Sequence, residues 1–138
     1  WGGGSGAGLM YRLSAAGCEV TTGILGDGDS DACTAAALGM EMLCIPPFSP
    51  IGPAETAALR EMVAAADVAV LTAMPVGPGN IANLEVLCDQ ETTPVLLYMP
   101  EGGEFTDYTD GKLDAVLKCI TEKGAVRVAR VEDLLSSL

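Results

Sequence analysis

The sequence predicts an α/β protein with a doubly wound parallel sheet, covered by helices on both faces in a three-layer αβα arrangement. Three observations predict it. Segments with helical spacing of apolar residues alternate with short apolar segments along the whole chain. The short segments are apolar at successive positions, which is typical of strands covered on both faces. A glycine-rich turn opens the chain and leads directly into the first predicted helix.

Size and composition predict one domain. With 138 residues, of which 49% are hydrophobic, the chain can bury one core, so we expect residues 1–138 to form a single Rossmann-like domain. Its apolar runs are too short to cross a membrane, and we expect no transmembrane or signal segment.

The first helix is predicted from Ser5 to Ala16, because Leu9, Met10 and Leu13 recur at helical spacing and Gly17 supplies a stop. The same alternation of strand, loop and helix then repeats to the end of the chain. The predicted strands are EVTTGIL, MLCI, DVAVLT, PVLLYM and AVRVA. The further predicted helices are DACTAAALG, AETAALREMVAAA, IANLEVLCD, KLDAVLKCITEKG and VEDLLSSL.

One expected strand is largely missing from this sequence. A glycine turn that leads into a helix normally receives a strand from its N-terminal side, yet only Trp1 precedes the glycines. In the doubly wound order this strand lies at the centre of the sheet. We therefore expect the chain to be a fragment of a longer protein that supplies it.

Charge and residue types exclude several classes of function. The net charge of −12 disfavours binding to nucleic acid and to anionic membrane surfaces. The absence of histidine removes Ser-His-Asp and Cys-His catalysis. The five cysteines are odd in number and form no CxxC pair, so we expect buried free thiols in the cytoplasm rather than a disulfide framework or a zinc site.

The opening turn GGGSGAG is the first candidate binding site. Glycine allows the backbone to approach a ligand, and the start of the following helix presents free N–H groups to an anion. Gly4, Ser5 and Gly6 are the candidate residues. The alternative is a tight turn that serves close helix packing without any ligand.

The run GDGDSD, residues 26–31, is the second candidate. In a dinucleotide-binding unit an acid at this place accepts the ribose hydroxyl groups, and Asp27 or Asp29 has the right separation from the glycines. The alternative is that Asp29 or Ser30 caps the next helix and that the other acids complement its dipole.

The stretch MPVGPGN, residues 74–80, is the third candidate, with Gly77, Gly79 and Asn80 as its residues. In the expected order it follows the strand beside the missing one, so we expect residues 2–8 and 74–80 to face each other across a crevice. A structural turn interrupted by proline is the alternative. Tyr108 and Lys112 match the YxxxK of short-chain dehydrogenases, but Asp110 and Gly111 predict a loop there, so we assign them no catalytic role.

The segments GGGSGAGLMYRLSAAGCEVTTGILGDGDSD, PPFSPI and MPVGPGNIANLEVL resemble a C-terminal accessory domain of ABC transporter ATP-binding proteins of the iron-complex, siderophore and cobalamin importer class. The resemblance covers most of Gly2 to Leu87. It implies a cytoplasmic Rossmann-like domain attached to an ATPase in the same longer chain and brought to the membrane only through the transporter complex. The chain itself has no GxxxxGK[ST] motif for ATP hydrolysis.

These observations favour a non-catalytic small-molecule-binding or regulatory domain without its own enzymatic activity. The ligand is unknown; a nucleotide or another small anionic metabolite suits the glycine turns, although the acidic residues of EGGEFTDYTD at the same edge oppose an anion. Two alternatives remain: an NAD(P)-binding oxidoreductase fragment, and a structural domain that forms a homodimer and has no ligand.

Overall fold

The computed structural model describes residues 6–26, 30–100 and 103–138. The helices in these ranges are α1 (Gly6–Ala15), α2 (Ser30–Ala37), α3 (Pro53–Ala65), α4 (Ile81–Asp89), α5 (Lys112–Glu122) and α6 (Val131–Ser136). The strands are β1 (Thr21–Ile24), β2 (Glu41–Cys44), β3 (Ala69–Thr72), β4 (Pro75–Val76), β5 (Val95–Tyr98), β6 (Thr106–Asp107) and β7 (Val126–Val128).

All strand pairs among the described residues are parallel, which confirms the predicted fold class. β1 pairs with β2, and β5 lies between β3 and β7. These are the two halves of the doubly wound order, in which the first strand lies between β1 and β3. No ladder joins β1 to β3 within the ranges that the structure describes. The expected first strand lies outside the described residues and stays a prediction.

The side chains of β5 show the three layers. Leu97 belongs to the larger core cluster, together with buried side chains of α3, α4 and α5. Its neighbours Leu96 and Tyr98 belong to a second cluster, together with α1 and α6. Because successive side chains of a strand point to opposite faces, these helices cover opposite faces of the sheet. Helix α2 packs on α1 and completes that layer.

Three of the turns from helix to strand have the same construction. After α1, the N–H of Gly17 donates to the carbonyl of Ser14 at 3.0 Å, and the N–H of Cys18 donates to that of Leu13 at 3.0 Å. Gly17 has a φ of 87°, which glycine adopts without steric cost. The equivalent glycines after α2 and α5 are Gly39 and Gly124. These glycines explain why the predicted helix ends agree closely with the observed ones.

Two features differ from the predictions. The short strands β4 and β6 lie in segments predicted as loops, because their pairing depends on contact between distant segments rather than on a local pattern. The prediction of buried thiols is wrong: Cys33 is exposed and the other four cysteines are only partly buried. Apolar surroundings in the sequence did not place the thiols in the core, since they lie on helix flanks, on β2 and in the connection between α1 and β1, where they are at most partly covered.

Among the described residues, no helix combines the length and the apolar character that are needed to cross a membrane.

Candidate functional site

Three segments meet at the carboxyl edge of the sheet, and we call them the rim: residues 45–50 after β2, residues 73–80 after β3, and residues 103–111 before α5. The N–H of Gly79 donates to the carbonyl of Pro47 at 2.8 Å, which joins the first two segments. The N–H of Tyr108 donates to the carbonyl of Val76 at 2.8 Å and extends the ladder between β4 and β6, which joins the last two. The rim therefore connects both halves of the sheet.

Gly77 and Gly79 are the points at which the two loops approach most closely. A Cβ atom at Gly79 would lie 2.5 Å from the backbone nitrogen of Ser49, and one at Gly77 would lie 3.0 Å from Cδ1 of Phe48. The N–H of Gly77 donates to Oδ1 of Asn80 at 2.8 Å. The backbone N–H groups of both glycines thus donate to acceptors within the rim. Because neither glycine has a side chain, the two loops can pack closely.

Asn80 holds this loop in shape from inside. It is 0% exposed, and besides accepting the bond from Gly77 it donates through Nδ2 to the carbonyl of Pro75 at 3.2 Å. The next buried amide, that of Asn83, donates to the carbonyl of Gly79 at 3.2 Å. A buried polar side chain that makes such bonds fixes the backbone conformation. In this structure both polar atoms of the Asn80 side chain are engaged in positioning the rim.

Gly6 begins α1 at the same edge and packs against the first turn of α2. A Cβ atom at Gly6 would lie 2.7 Å from Oδ2 of Asp31, a carboxylate that is only 2% exposed. The start of each helix favours a negative charge, so the junction of α1 and α2 is a favourable place for this buried acid. Asp31 is the last acid of GDGDSD, and its place in the first turn of α2 is the sequence signal that distinguishes it.

The other predicted site residues, Gly4, Ser5, Asp27 and Asp29, lie outside the described residues. The crevice between residues 2–8 and 74–80 therefore stays a prediction.

The rim carries an aromatic pair that the sequence did not reveal. Phe48 and Tyr108 come from different rim segments, and their ring centroids lie 5.3 Å apart with an interplanar angle of 66°. Phe48 is 63% exposed and Tyr108 is 54% exposed. Edge-to-face contact at this distance is a favourable arrangement of two aromatic rings. Two large apolar rings are thereby held in solvent at the edge where ligands of α/β sheets bind.

Negative charge surrounds this pair. The rim segment that contains Tyr108 also contains Glu104, Asp107 and Asp110, all of them exposed. The hydroxyl group of Thr109 donates to Oδ1 of Asp107 at 2.5 Å, and its backbone N–H donates to the same oxygen at 2.7 Å. These bonds lower the pKa of Asp107 below its ordinary value of 3.8. Asp107 is therefore ionised at neutral pH.

Thr109 also connects this carboxylate to α5. Its hydroxyl oxygen accepts a hydrogen bond from the N–H of Leu113 at 2.9 Å, so it satisfies one of the free donors at the start of the helix. Asp110 and Gly111, with φ of 55° and 88°, form the turn into α5. The predicted loop between Tyr108 and Lys112 is confirmed.

Within the described residues, no three Cys, Asp or Glu side chains lie close enough together to bind a metal ion. Two shallow cavities are lined by residues outside the rim. One, of about 410 Å³, lies between the ends of α4 and α5, and the other, of about 420 Å³, lies between α2 and the strands β1 and β2. The rim residues form an exposed platform rather than part of either cavity.

A family model, that of the MJ0874 family, matches residues 20–135, a range that includes the whole rim and both halves of the sheet. No curated protein and no solved structure matches the chain.

Proposed function

The chain belongs to the MJ0874 family, and we propose that it is a non-catalytic domain that binds a small molecule at the rim. The observation that carries this proposal is the exposed pair of Phe48 and Tyr108 at the carboxyl edge of the sheet. Ligands of open α/β sheets bind at this edge, near the point where the strand order reverses. In the expected doubly wound order, that point lies between β1 and β3.

Contacts within the protein position the platform without a ligand. Phe48 lies against Gly77, whose loop is held by the buried amide of Asn80. Tyr108 is held by its backbone bond to Val76. Since these contacts already fix the backbone that carries both rings, a ligand that stacks on the rings avoids part of the entropic cost of binding.

The chemistry of the rim favours a planar ligand that is neutral or positively charged. Aromatic side chains stack on planar rings and attract cations through their faces. The carboxylates of Glu104, Asp107 and Asp110 oppose an anion such as a nucleoside triphosphate. We therefore expect a nucleoside or another heterocycle to bind better than its phosphorylated form.

A titration followed by amide NMR tests this proposal. We expect neutral and cationic ring compounds, with adenosine as the first probe, to shift the amide signals of Gly79 and Tyr108 but not that of Gly124 at the opposite edge. ATP and NAD at the same concentration should bind more weakly than adenosine. A library of neutral and cationic ring compounds that leaves the rim signals unchanged at millimolar concentration would contradict the proposal.

Substitutions test whether the ligand binds to the aromatic pair rather than to another exposed aromatic residue. Phe48→Ala and Tyr108→Ala should each weaken binding, because stacking on one ring is worth about 1–3 kcal/mol. Tyr11→Ala is the matched control, since Tyr11 is 53% exposed on α1 and lies outside the rim. Equal affinity of all three variants and the unsubstituted protein would place the ligand elsewhere.

The attachment to an ABC-type ATPase is a second part of the proposal, and it is supported only by the resemblance of the glycine-containing segments. It predicts that the natural full-length protein hydrolyses ATP and that a rim ligand changes the rate, because a ligand acts by binding one conformation more tightly than another. If the full-length protein has no GxxxxGK[ST] motif, the proposed attachment to an ATPase is wrong. The proposal that the rim binds a ligand would be unaffected.

A further inference from the structure

Two cysteines face each other on neighbouring helices, far from the rim in the fold. Cys88 lies in the last turn of α4, and Cys119 lies on α5, which packs beside α4. The thiol of Cys88 donates to the carbonyl of Val116 at 3.5 Å. Since Cys119 follows Val116 by almost one helical turn, its side chain lies on the same side of α5, next to the thiol of Cys88.

The pair is partly accessible. Both thiols are half-buried, and Cys88 packs against the edge of the larger core cluster. The cavity between the ends of α4 and α5 is lined by the adjacent residues Leu87 and Ile120. A small reagent can therefore approach the pair, while the packing of the two helices keeps the sulfur atoms together.

The thiol of Cys88 resists ionisation. Burial raises the pKa of Cys88 to about 12, and the hydrogen bond and charge of Cys119 add to this effect, while Lys123 acts in the opposite direction. Cys88 therefore stays protonated at neutral pH. When the sulfur of Cys119 becomes bound to another group, its part in raising the pKa of Cys88 is removed, and Cys88 loses its proton more easily.

We propose that Cys88 and Cys119 form a redox-active dithiol site that small disulfides oxidise to an intramolecular disulfide between α4 and α5. The thiolate of Cys119 attacks one sulfur of the small disulfide, and the first thiolate leaves as a mixed disulfide forms. Cys88 then gives up its proton, and its sulfur attacks that of Cys119 and releases the second thiol. The protein loses two electrons and two protons, and the small disulfide is reduced to two thiols.

Peptide mapping of the unsubstituted protein tests the site directly. The chain is incubated with oxidised glutathione, free thiols are blocked with iodoacetamide, and the protein is digested with trypsin without reduction. The sequence places Cys88 alone in the peptide from Glu61 to Lys112, and Cys119 in the peptide from Cys119 to Lys123. We expect these two peptides to be linked by a disulfide, and we expect the linked species to disappear after reduction.

The other three cysteines provide an internal comparison, because they all lie in the single tryptic peptide from Leu13 to Arg60. The proposal would be overturned if no disulfide linked the peptides of Cys88 and Cys119. It would also be overturned if either peptide were linked instead to the peptide from Leu13 to Arg60. Since this experiment uses no substituted protein, the result does not depend on whether a variant folds.

Thermal unfolding adds a second measurement. A bridge between natively adjacent thiols restricts the unfolded chain, so we expect the oxidised protein to melt at least about 5 °C above the reduced protein. This rise should be absent in Cys88→Ser and Cys119→Ser and retained in Cys33→Ser, which removes the exposed thiol on α2. A bridge that lowers the melting temperature would show that the native fold does not hold the two sulfurs together.

Discussion

The backbone N–H of Gly79 lies 2.8 Å from the carbonyl oxygen of Pro47, so that the loops after β2 and β3 are hydrogen-bonded at the carboxyl edge of the sheet. A side chain at Gly79 would place a Cβ atom 2.5 Å from the backbone nitrogen of Ser49. Neither backbone can move without breaking this contact. Close packing of the rim therefore requires glycine at this position.

We expect Gly79→Ala to lower the free energy of unfolding by about 1–3 kcal/mol, because an added methyl group must displace a packed backbone. Gly26→Ala is the control, since no atom lies within 4 Å of a Cβ at that loop position. It should change stability by less than about 0.5 kcal/mol. Denaturation by urea measures both variants, and equal stability of the two would contradict the close approach.

Gly6→Ala tests the junction of α1 and α2 in the same way. The added Cβ would lie 2.7 Å from Oδ2 of Asp31, a side chain that is buried and has little room to move. We expect a loss of about 1–2 kcal/mol in the free energy of unfolding. Gly8→Ala on the same helix meets no atom within 4 Å. It should stabilise the protein by about 0.5–1 kcal/mol through higher helix propensity. Thermal unfolding should therefore show a lower melting temperature for Gly6→Ala and a higher one for Gly8→Ala than for the unsubstituted protein.

Asn80→Ala should be strongly destabilising. It removes the acceptor of the Gly77 N–H and the donor to the Pro75 carbonyl in a buried place, and an unsatisfied buried group costs about 1–3 kcal/mol. Thr121→Ala removes a bond of similar type, from the hydroxyl to the carbonyl of Leu117, at an exposed place. Because water replaces that bond, we expect a change below about 0.5 kcal/mol. Similar losses in the two variants, measured by urea denaturation, would refute the positioning role of Asn80.

We expect low pH to destabilise the N-terminal end of α5, because it protonates Asp107. Folding lowers the pKa of this carboxyl below 3.8, so its contribution to stability is present above about pH 4 and is lost as the pH falls through the folded-state pKa. The amide of Leu113, which donates to Thr109, should report this titration in NMR spectra. We expect a midpoint below the ordinary value of 3.8.

Two variants identify the cause of that shift. Asp107→Asn should abolish the titration at Leu113, whereas Thr109→Val should return the midpoint toward the ordinary value, because it removes the hydroxyl bond that lowers the pKa most. A midpoint in the unsubstituted protein at or above the ordinary value would be incompatible with the observed bonds.

The candidate site was only partly predictable from the sequence. The turn at Gly77, Gly79 and Asn80 was recognised because glycine and asparagine interrupt an apolar pattern locally. Its packing partners are not predictable in this way, since the residues that Gly79 contacts lie about thirty residues earlier in the chain. Phe48 and Tyr108 carry no pattern of their own. The bond between Gly79 and Pro47 and the pairing of β4 with β6 bring them together.

Local patterns along the chain are sufficient to predict the order of helices and strands, the parallel sheet and the glycine-ended turns, because helical periodicity, continuous apolar strands and positive-φ glycines act over a few neighbouring residues. The tertiary structure alone decided which loops share the rim, which aromatic rings stand in solvent and that Cys88 meets Cys119. These contacts join segments that are distant along the chain, and their free energy depends on shape and distance in space, which no local pattern of residues encodes.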